Sequence, residues 1–230
     1  QPFTVAPHFA LKNRPTTKMT IQEGSKLNIT SQNAYIEAWI KPYTFPKEGS
    51  AVEYYPIITK KDPLAPTDAE GLHYALRLRS DGRLQFDLGS VAGGTGAIDV
   101  RTAISDPVQR ILEPNVVEYD SVWVHVGVYL SIPENGTASQ IVFYIDGNPQ
   151  DGEANVRQLG SGIVLDKSNT YPTMIGYEDS KDADAIFFDG EMREVRFWRN
   201  NPAGLTRKSD PAYPNTNDLD NFIQGSLTVR

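Results

Sequence analysis

Residues 187–198, FFDGEMREVRFW, admit few folds. After the Asp189-Gly190 turn, the apolar Met192, Val195 and Phe197 alternate with the charged Arg193, Glu194, Arg196 and Arg199. A strand with one apolar and one charged face lies over a core with its other side wet. The spacing slips once, because Met192 and Val195 are three apart, and this predicts a β-bulge near Arg193-Glu194.

The same period of two recurs along the chain. In residues 34–41, Ala34, Ile36, Ala38 and Ile40 alternate with Tyr35, Glu37, Trp39 and Lys41. Leu72, Tyr74, Leu76 and Leu78 form one face of a strand, with His73, Ala75 and Arg77 on the other. Ser80-Asp81-Gly82 turns that strand into a partner with Leu84, Phe86 and Leu88 inward and Arg83, Gln85 and Asp87 outward. Residues 122–130, VWVHVGVYL, form a core strand and 140–145, QIVFYI, pair back on it. Shorter strands are expected at 3–12, around 18–21, at 57–60 and at 173–177, with a polar strand or loop over 156–165. Residues 89–120 show no clear pattern. No segment of ten or more residues has a helical period, and turn signals recur every 8–12 residues, as in an antiparallel sandwich or barrel. With no repeat and no linker, residues 1–230 read as one domain with a C-terminal tail after about residue 200.

Composition removes several function classes. There is no cysteine, so no disulfide, thiolate zinc ligand or thiol nucleophile. A formal charge of -7 argues against nucleic acid and anionic membranes as partners, and no apolar run is long enough to span a bilayer. His8, His73 and His125 form no ligand-spaced pair, and His125, inside a core strand, reads as structural. The sequons at Asn28 and Asn135, with Gln1 at the start, point to a secreted protein.

The order of the strands resembles that of laminin-G-like and pentraxin-like jelly-roll domains. The resemblance is carried by residues 19–42, by Ile57-Ile58-Thr59-Lys60-Lys61-Asp62, and by Tyr74-Ala75-Leu76-Arg77-Leu78 with Asp81-Gly82-Arg83-Leu84. Trp123-Val124-His125-Val126, Phe143-Tyr144-Ile145-Asp146-Gly147 and Ile175-Gly176 continue it, and Phe188-Asp189-Gly190-Glu191 through Trp198 closes it. It covers about residues 8–200, with insertions at 43–56 and 89–120. It implies an all-β, concanavalin A-like sandwich of two curved antiparallel sheets. The closing strand is expected to pair near the N-terminus.

Two ligand chemistries follow. Glu178, Asp179, Asp182 and Asp184 offer four carboxylates in seven residues, a density suited to calcium. The resemblance implies Glu178 and Asp179 as calcium ligands and adds Asp62 from an early loop. Sugar binding needs a flat ring for the apolar face of a pyranose and polar groups for its hydroxyls. Tyr54, Tyr55, His73, Asn148 and Tyr177, read as lying in loops or on outward faces, are the candidates, while Trp39, Trp123 and Trp198 read as packing. The Glu-x-Asp-x-Glu motif of glucan hydrolases on this fold is absent, and Glu191 and Glu194 are three apart. The expected function is therefore a secreted, calcium-assisted, non-catalytic carbohydrate-binding lectin with a glycan partner. A protein-recognition or adhesion domain of laminin-G type is the alternative, and a glycan-cleaving enzyme a weaker one. Association through flat back sheets makes a homo-oligomer an expected partner.

Overall fold

The structure, a computed structural model, describes residues 3–4, 18–22, 27–30, 33–46, 49, 53–91, 98–107, 123–132, 139–150, 156–180 and 183–199. In chain order the elements are β1 (Phe3–Thr4), β2 (Met19–Ile21), β3 (Asn33–Pro42), β4 (Tyr54–Lys61), α1 (Asp68–Gly71), β5 (Leu72–Arg79), β6 (Arg83–Val91) and β7 (Ile98–Pro107). Then follow β8 (Val124–Ser131), β9 (Ser139–Ile145), β10 (Asn148–Pro149), β11 (Val156–Gly160), β12 (Thr173–Ile175), β13 (Tyr177–Ser180), β14 (Ala183–Phe187) and β15 (Gly190–Arg199).

Two sheets stack. One runs β1-β15-β3-β8-β9-β10 with β11 also on β9, the other β2-β12-β4-β5-β6-β7, and β13-β14 form a separate ribbon. The pairings are antiparallel. The alternating sets face each other as expected: Ala34, Ile36, Ala38 and Ile40 with Val124, Val126 and Val128 meet Leu76, Leu78, Leu84 and Phe86 in one core. Burying such aliphatic faces is the main drive for the two layers to associate. This is the all-β antiparallel sandwich expected of a jelly roll.

The bulge falls where the spacing slips. Register with β3 runs from Gly190↔Pro42 to Arg193↔Trp39 and resumes at Arg196↔Glu37, so Glu194 and Val195 together oppose Ala38. Glu194 takes the left-handed conformation, φ 53°. That extra residue returns Val195 and Phe197 to the core side, where both are buried with Met192. β15 also pairs with the N-terminal strand, Phe3↔Phe197. The β5–β6 hairpin turns at Ser80-Asp81-Gly82, with Gly82 at φ 71° and its N–H donating to the Arg79 carbonyl at 3.1 Å.

Several expectations are corrected. Tyr54 and Tyr55, read as the end of a loop, open β4. Residues 89–120, unpatterned in sequence, contain the end of β6 and all of β7. The acidic stretch 178–184 is strand rather than loop where described, in β13 and β14. The Asn28 sequon is fully buried, and its side-chain Nδ2 donates to the carbonyls of Lys167 at 3.0 Å and Asn169 at 2.9 Å. In the folded chain that nitrogen is not open to a glycan. Asn135, most of the expected strand at 3–12 and the tail after 200 lie outside the described residues. Among the described residues no helix is long and apolar enough to cross a membrane.

Neither outer face is simply wet. On the β3/β8 sheet, Tyr35, Glu37, His125, Tyr129, Tyr144 and Arg196 point away from the core and are nevertheless buried within the single chain. The same face also carries the half-buried Trp39, Arg193 and Trp198. On the β4/β5 sheet, His73, Arg77 and Asp87 face outward and are buried too.

His73 gives a pH dependence. Its Nε2 accepts a hydrogen bond from the Ile29 backbone N–H at 3.1 Å, which requires the neutral ring. Burial, reinforced by nearby Lys60, lowers its pKa to about 4. The unfolded chain therefore binds the extra proton between roughly pH 6.5 and 4, and stability falls with pH across that window. Urea unfolding at pH 7.5 and 4.5 is expected to differ by about 2–3 kcal/mol more for the native chain than for His73→Gln, which accepts the Ile29 bond without titrating. Equal pH dependence in the two proteins would remove His73 as the cause.

Candidate functional site

The outward face of β4–β7 holds a cleft of about 520 Å³ lined by Glu53, Tyr54, Asp68, Arg77, Arg79, Asp81, Gln85, Asp87 and Thr102 among others. Its floor is built on Arg77. Alternation on β5 points Arg77 away from the core, and the hairpin register places it opposite Gln85 and diagonal to Asp87. α1 brings Asp68 from the loop above, and β13 crosses near β4 to deliver Glu178.

The guanidinium is fully engaged. Arg77 Nε and Nη2 fork onto Glu178, with Nη2 at 2.9 Å from Oε1 and 2.8 Å from Oε2. Nη1 reaches Asp87 Oδ2 at 2.6 Å and Asp68 Oδ2 at 2.9 Å. The Tyr54 ring lies 4.2 Å from the guanidinium carbon. Glu178 also accepts from Lys61 Nζ, Thr59 Oγ1 and Tyr54 Oη, each at 3.2 Å. Asp87 accepts from Thr102 Oγ1 at 2.6 Å and Gln85 Nε2 at 2.7 Å. Lys61 Nζ donates to Asp68 Oδ1 at 3.0 Å. Two cations and three carboxylates leave this floor one negative charge.

The electrostatics favour the charged forms of Asp68 and Arg77. Burial works against the charge on Asp68, but Arg77 and Lys61 outweigh it and hold the carboxyl below the usual range. Burial likewise opposes the charge on Arg77, and Glu178, Tyr54, Asp68 and Asp87 together hold it more firmly protonated than a free guanidinium. Burial pushes the Tyr54 phenol up, with Arg77 opposing and Glu178 adding to the rise. The result is a rigid polar floor with its donors and acceptors already matched.

Of the sugar-binding candidates, Tyr54 alone lines this cleft. Tyr55 points inward, packs on the core and meets Phe188 edge-on at 6.1 Å. His73 is spent on Ile29. Asn148 is exposed on β10, at the edge of the other sheet. Tyr177 is buried, stacks on Phe187 and shares a hydrogen bond with Thr20.

The calcium candidates do not converge either. Both oxygens of Glu178 are filled by cationic and hydroxyl donors. Asp179 is paired with Lys18 at 2.7 Å. Asp62 Oδ1 accepts from the Leu64 N–H at 2.9 Å and closes a turn, Asp184 is exposed on β14, and Asp182 lies outside the described residues. Among the described residues no three of His, Cys, Asp and Glu stand together to hold a metal. These side chains do not fit a calcium ion, which needs several oxygens free to converge.

Arg77, Asp87, Asp68 and Lys61 were not read as site residues from the sequence, nor was a second buried cluster on the outer face of the other sheet. There Glu37 accepts from Trp198 Nε1 at 3.0 Å, bonds His125 Nε2 at 3.0 Å and pairs with Arg196 at 3.5 Å. Glu191 and Glu194 do not face one bond: Glu191 is taken by Tyr43 and Lys41, and Glu194 by Arg196 at 2.7 Å.

The family described as the concanavalin A-like lectin/glucanases superfamily matches residues 14–202. The chain belongs to that superfamily. No curated protein sequence matches it. Among solved structures, the carbohydrate-binding module CBM40 of the Ruminococcus gnavus IT-sialidase is similar at 12% identity, TM-score 0.50, covering 89% of this chain and 95% of that one. The same module bound to α2,3-sialyllactose is similar at 13% identity and TM-score 0.49, with the same coverage. The heptameric SAP-like pentraxin of Limulus polyphemus is similar at 16% identity and TM-score 0.39, covering 82% of this chain and 68% of that one. At these identities the superfamily members share the sandwich, and the chemistry of the cleft belongs to this chain's own residues.

Proposed function

We propose that this chain is a non-catalytic carbohydrate-binding domain whose sugar lies in the cleft over β4–β7. The cleft itself carries the reading: an open concavity with an aromatic wall at Tyr54 over a pre-matched polar floor. Sugar sites combine these parts, because hydroxyls both donate and accept while the carbon skeleton rests on a ring. Membership of a superfamily of lectins and glucanases supports it. Hydrolysis fits less well. A glycosidase acid must hold its proton near neutral pH, whereas Asp68 is held below the usual carboxyl range and Asp87 is locked to Arg77. An extracellular setting is the expectation that suits a glycan partner.

Titration of the whole chain against a panel of oligosaccharides is expected to find a ligand that is bound and not cleaved. Tyr54→Ala is expected to weaken that binding by about tenfold, the scale of one lost aromatic contact. No binding across the panel would sink the reading and favour a protein partner.

A further inference from the structure

The charges around the cleft name its ligand class, on the assumption that the cleft is a sugar site. We propose that it takes an uncharged glycan and rejects one that carries a carboxylate.

Recognition of an acidic sugar needs a cation with donors to spare, best as a fork of parallel N–H groups. This cleft has none on its floor. Arg77 gives its Nε, Nη1 and Nη2 groups to Glu178, Asp87 and Asp68, and Tyr54 covers its face. Lys61 is buried and spent on Asp68 and Glu178. A ligand carboxylate could reach Arg77 only by displacing a protein carboxylate from its guanidinium partner.

Arg79 is the other cation of the lining, and it is held by Asp81 at 3.3 Å and by Gln85 at 3.2 Å. Against these two cations the lining sets Glu53, Asp68, Asp81 and Asp87, with Glu53 and Asp81 exposed at the mouth. The lining therefore carries an excess of two negative charges, and the low-dielectric walls of a cleft focus that field on whatever enters. An incoming anion meets that negative field first. A hydroxyl does not: it is neutral and donates to Glu53 or Asp68.

The test compares neutral gluco-, galacto- and manno-oligosaccharides with sialyllactose and uronate-containing oligosaccharides, titrated into the whole chain at low and moderate salt. The expected result is a neutral binder, with every acidic glycan weaker by about tenfold or more at low salt. The double variant Glu53→Gln, Asp81→Asn is expected to narrow the neutral-to-acidic ratio by about threefold, as the field at the mouth is removed. An acidic glycan bound as tightly as the neutral ones overturns the proposal and leaves the sugar site standing. A ratio unmoved by the double variant overturns its electrostatic basis. No glycan bound at all overturns both the proposal and the sugar site.

Discussion

Arg77→Met is expected to destabilise the fold by about 3–5 kcal/mol, the cost of leaving buried charges without their partner. The side chain is similar in length, so packing against Tyr54 is largely kept and the loss is electrostatic. Glu178 would retain Lys61, Thr59 and Tyr54, and Asp68 would retain Lys61. Asp87 would keep only neutral donors among those described, Thr102 and Gln85. Urea unfolding is expected to show a lower midpoint with an unchanged slope, because the surface exposed on unfolding does not change. Arg77→Lys rescues little, since an ammonium cannot serve Glu178 by a fork and reach Asp68 and Asp87 at once. The pairing of Arg77→Met with Glu178→Gln is expected to cost less than the sum of the two, because the residues share one network. Additive effects would mean that Arg77 contributes by packing alone.

Glycan binding should fall with stability in the Arg77 variant, because the same side chain sets the floor of the cleft. Tyr54 keeps its packing but loses the cation held against its ring, and the cleft loses the charge that orders Glu178, Asp68 and Asp87.

The strands were legible where the pattern is local. β3, β5 and β8 alternate cleanly, Asp81-Gly82 announces the hairpin, and one slipped spacing announces the bulge at Glu194-Val195. β7 was not legible because its polarity is inverted. Val100, Thr102 and Ile104 share the outward face, while Arg101, Ala103 and Ser105 share the other, with Ala103 and Ser105 buried. Hydrophobicity alone points such a strand the wrong way. The floor of the cleft was hidden for a related reason. A charged residue alternating with Leu76 and Leu78 reads as wet, and what buries Arg77 is Glu178, 101 residues away. Half of the site was within reach, however. The hairpin register already sets Arg77 diagonal to Asp87, and opposite charges across a strand pair signal a contact. Carboxylate density pointed correctly to Glu178 as unusual but gave it the wrong partner. Only the fold shows that an arginine and a lysine neutralise it.

Glu37→Ala is expected to cost as much as the Arg77 change, about 3–5 kcal/mol, but without touching the cleft. Glu37 is fully buried on the outer face of the other sheet. Register places it directly across from Arg196 on β15 and from Gly127 on β8. Gly127 leaves room there: a Cβ would sit 2.3 Å from the Tyr35 hydroxyl. Removing the carboxylate would break the hydrogen bonds that the Trp198 indole and the His125 ring make to Glu37. Arg196 would keep Glu194. Glu37→Gln retains an acceptor for Trp198 and loses only the charge, so about 1–3 kcal/mol is expected, the scale of a weakened buried bond. The contrast between sheets is the decisive readout. Under conditions where both variants remain folded, the Arg77 variant should lose glycan affinity and the Glu37 variant should keep it. A folded Glu37→Ala protein that no longer binds glycan would move the binding surface to the β3/β8 sheet. There Arg193, 5.4 Å from the Trp39 ring and 4.3 Å from the Trp123 ring, would with those two indoles become its natural wall.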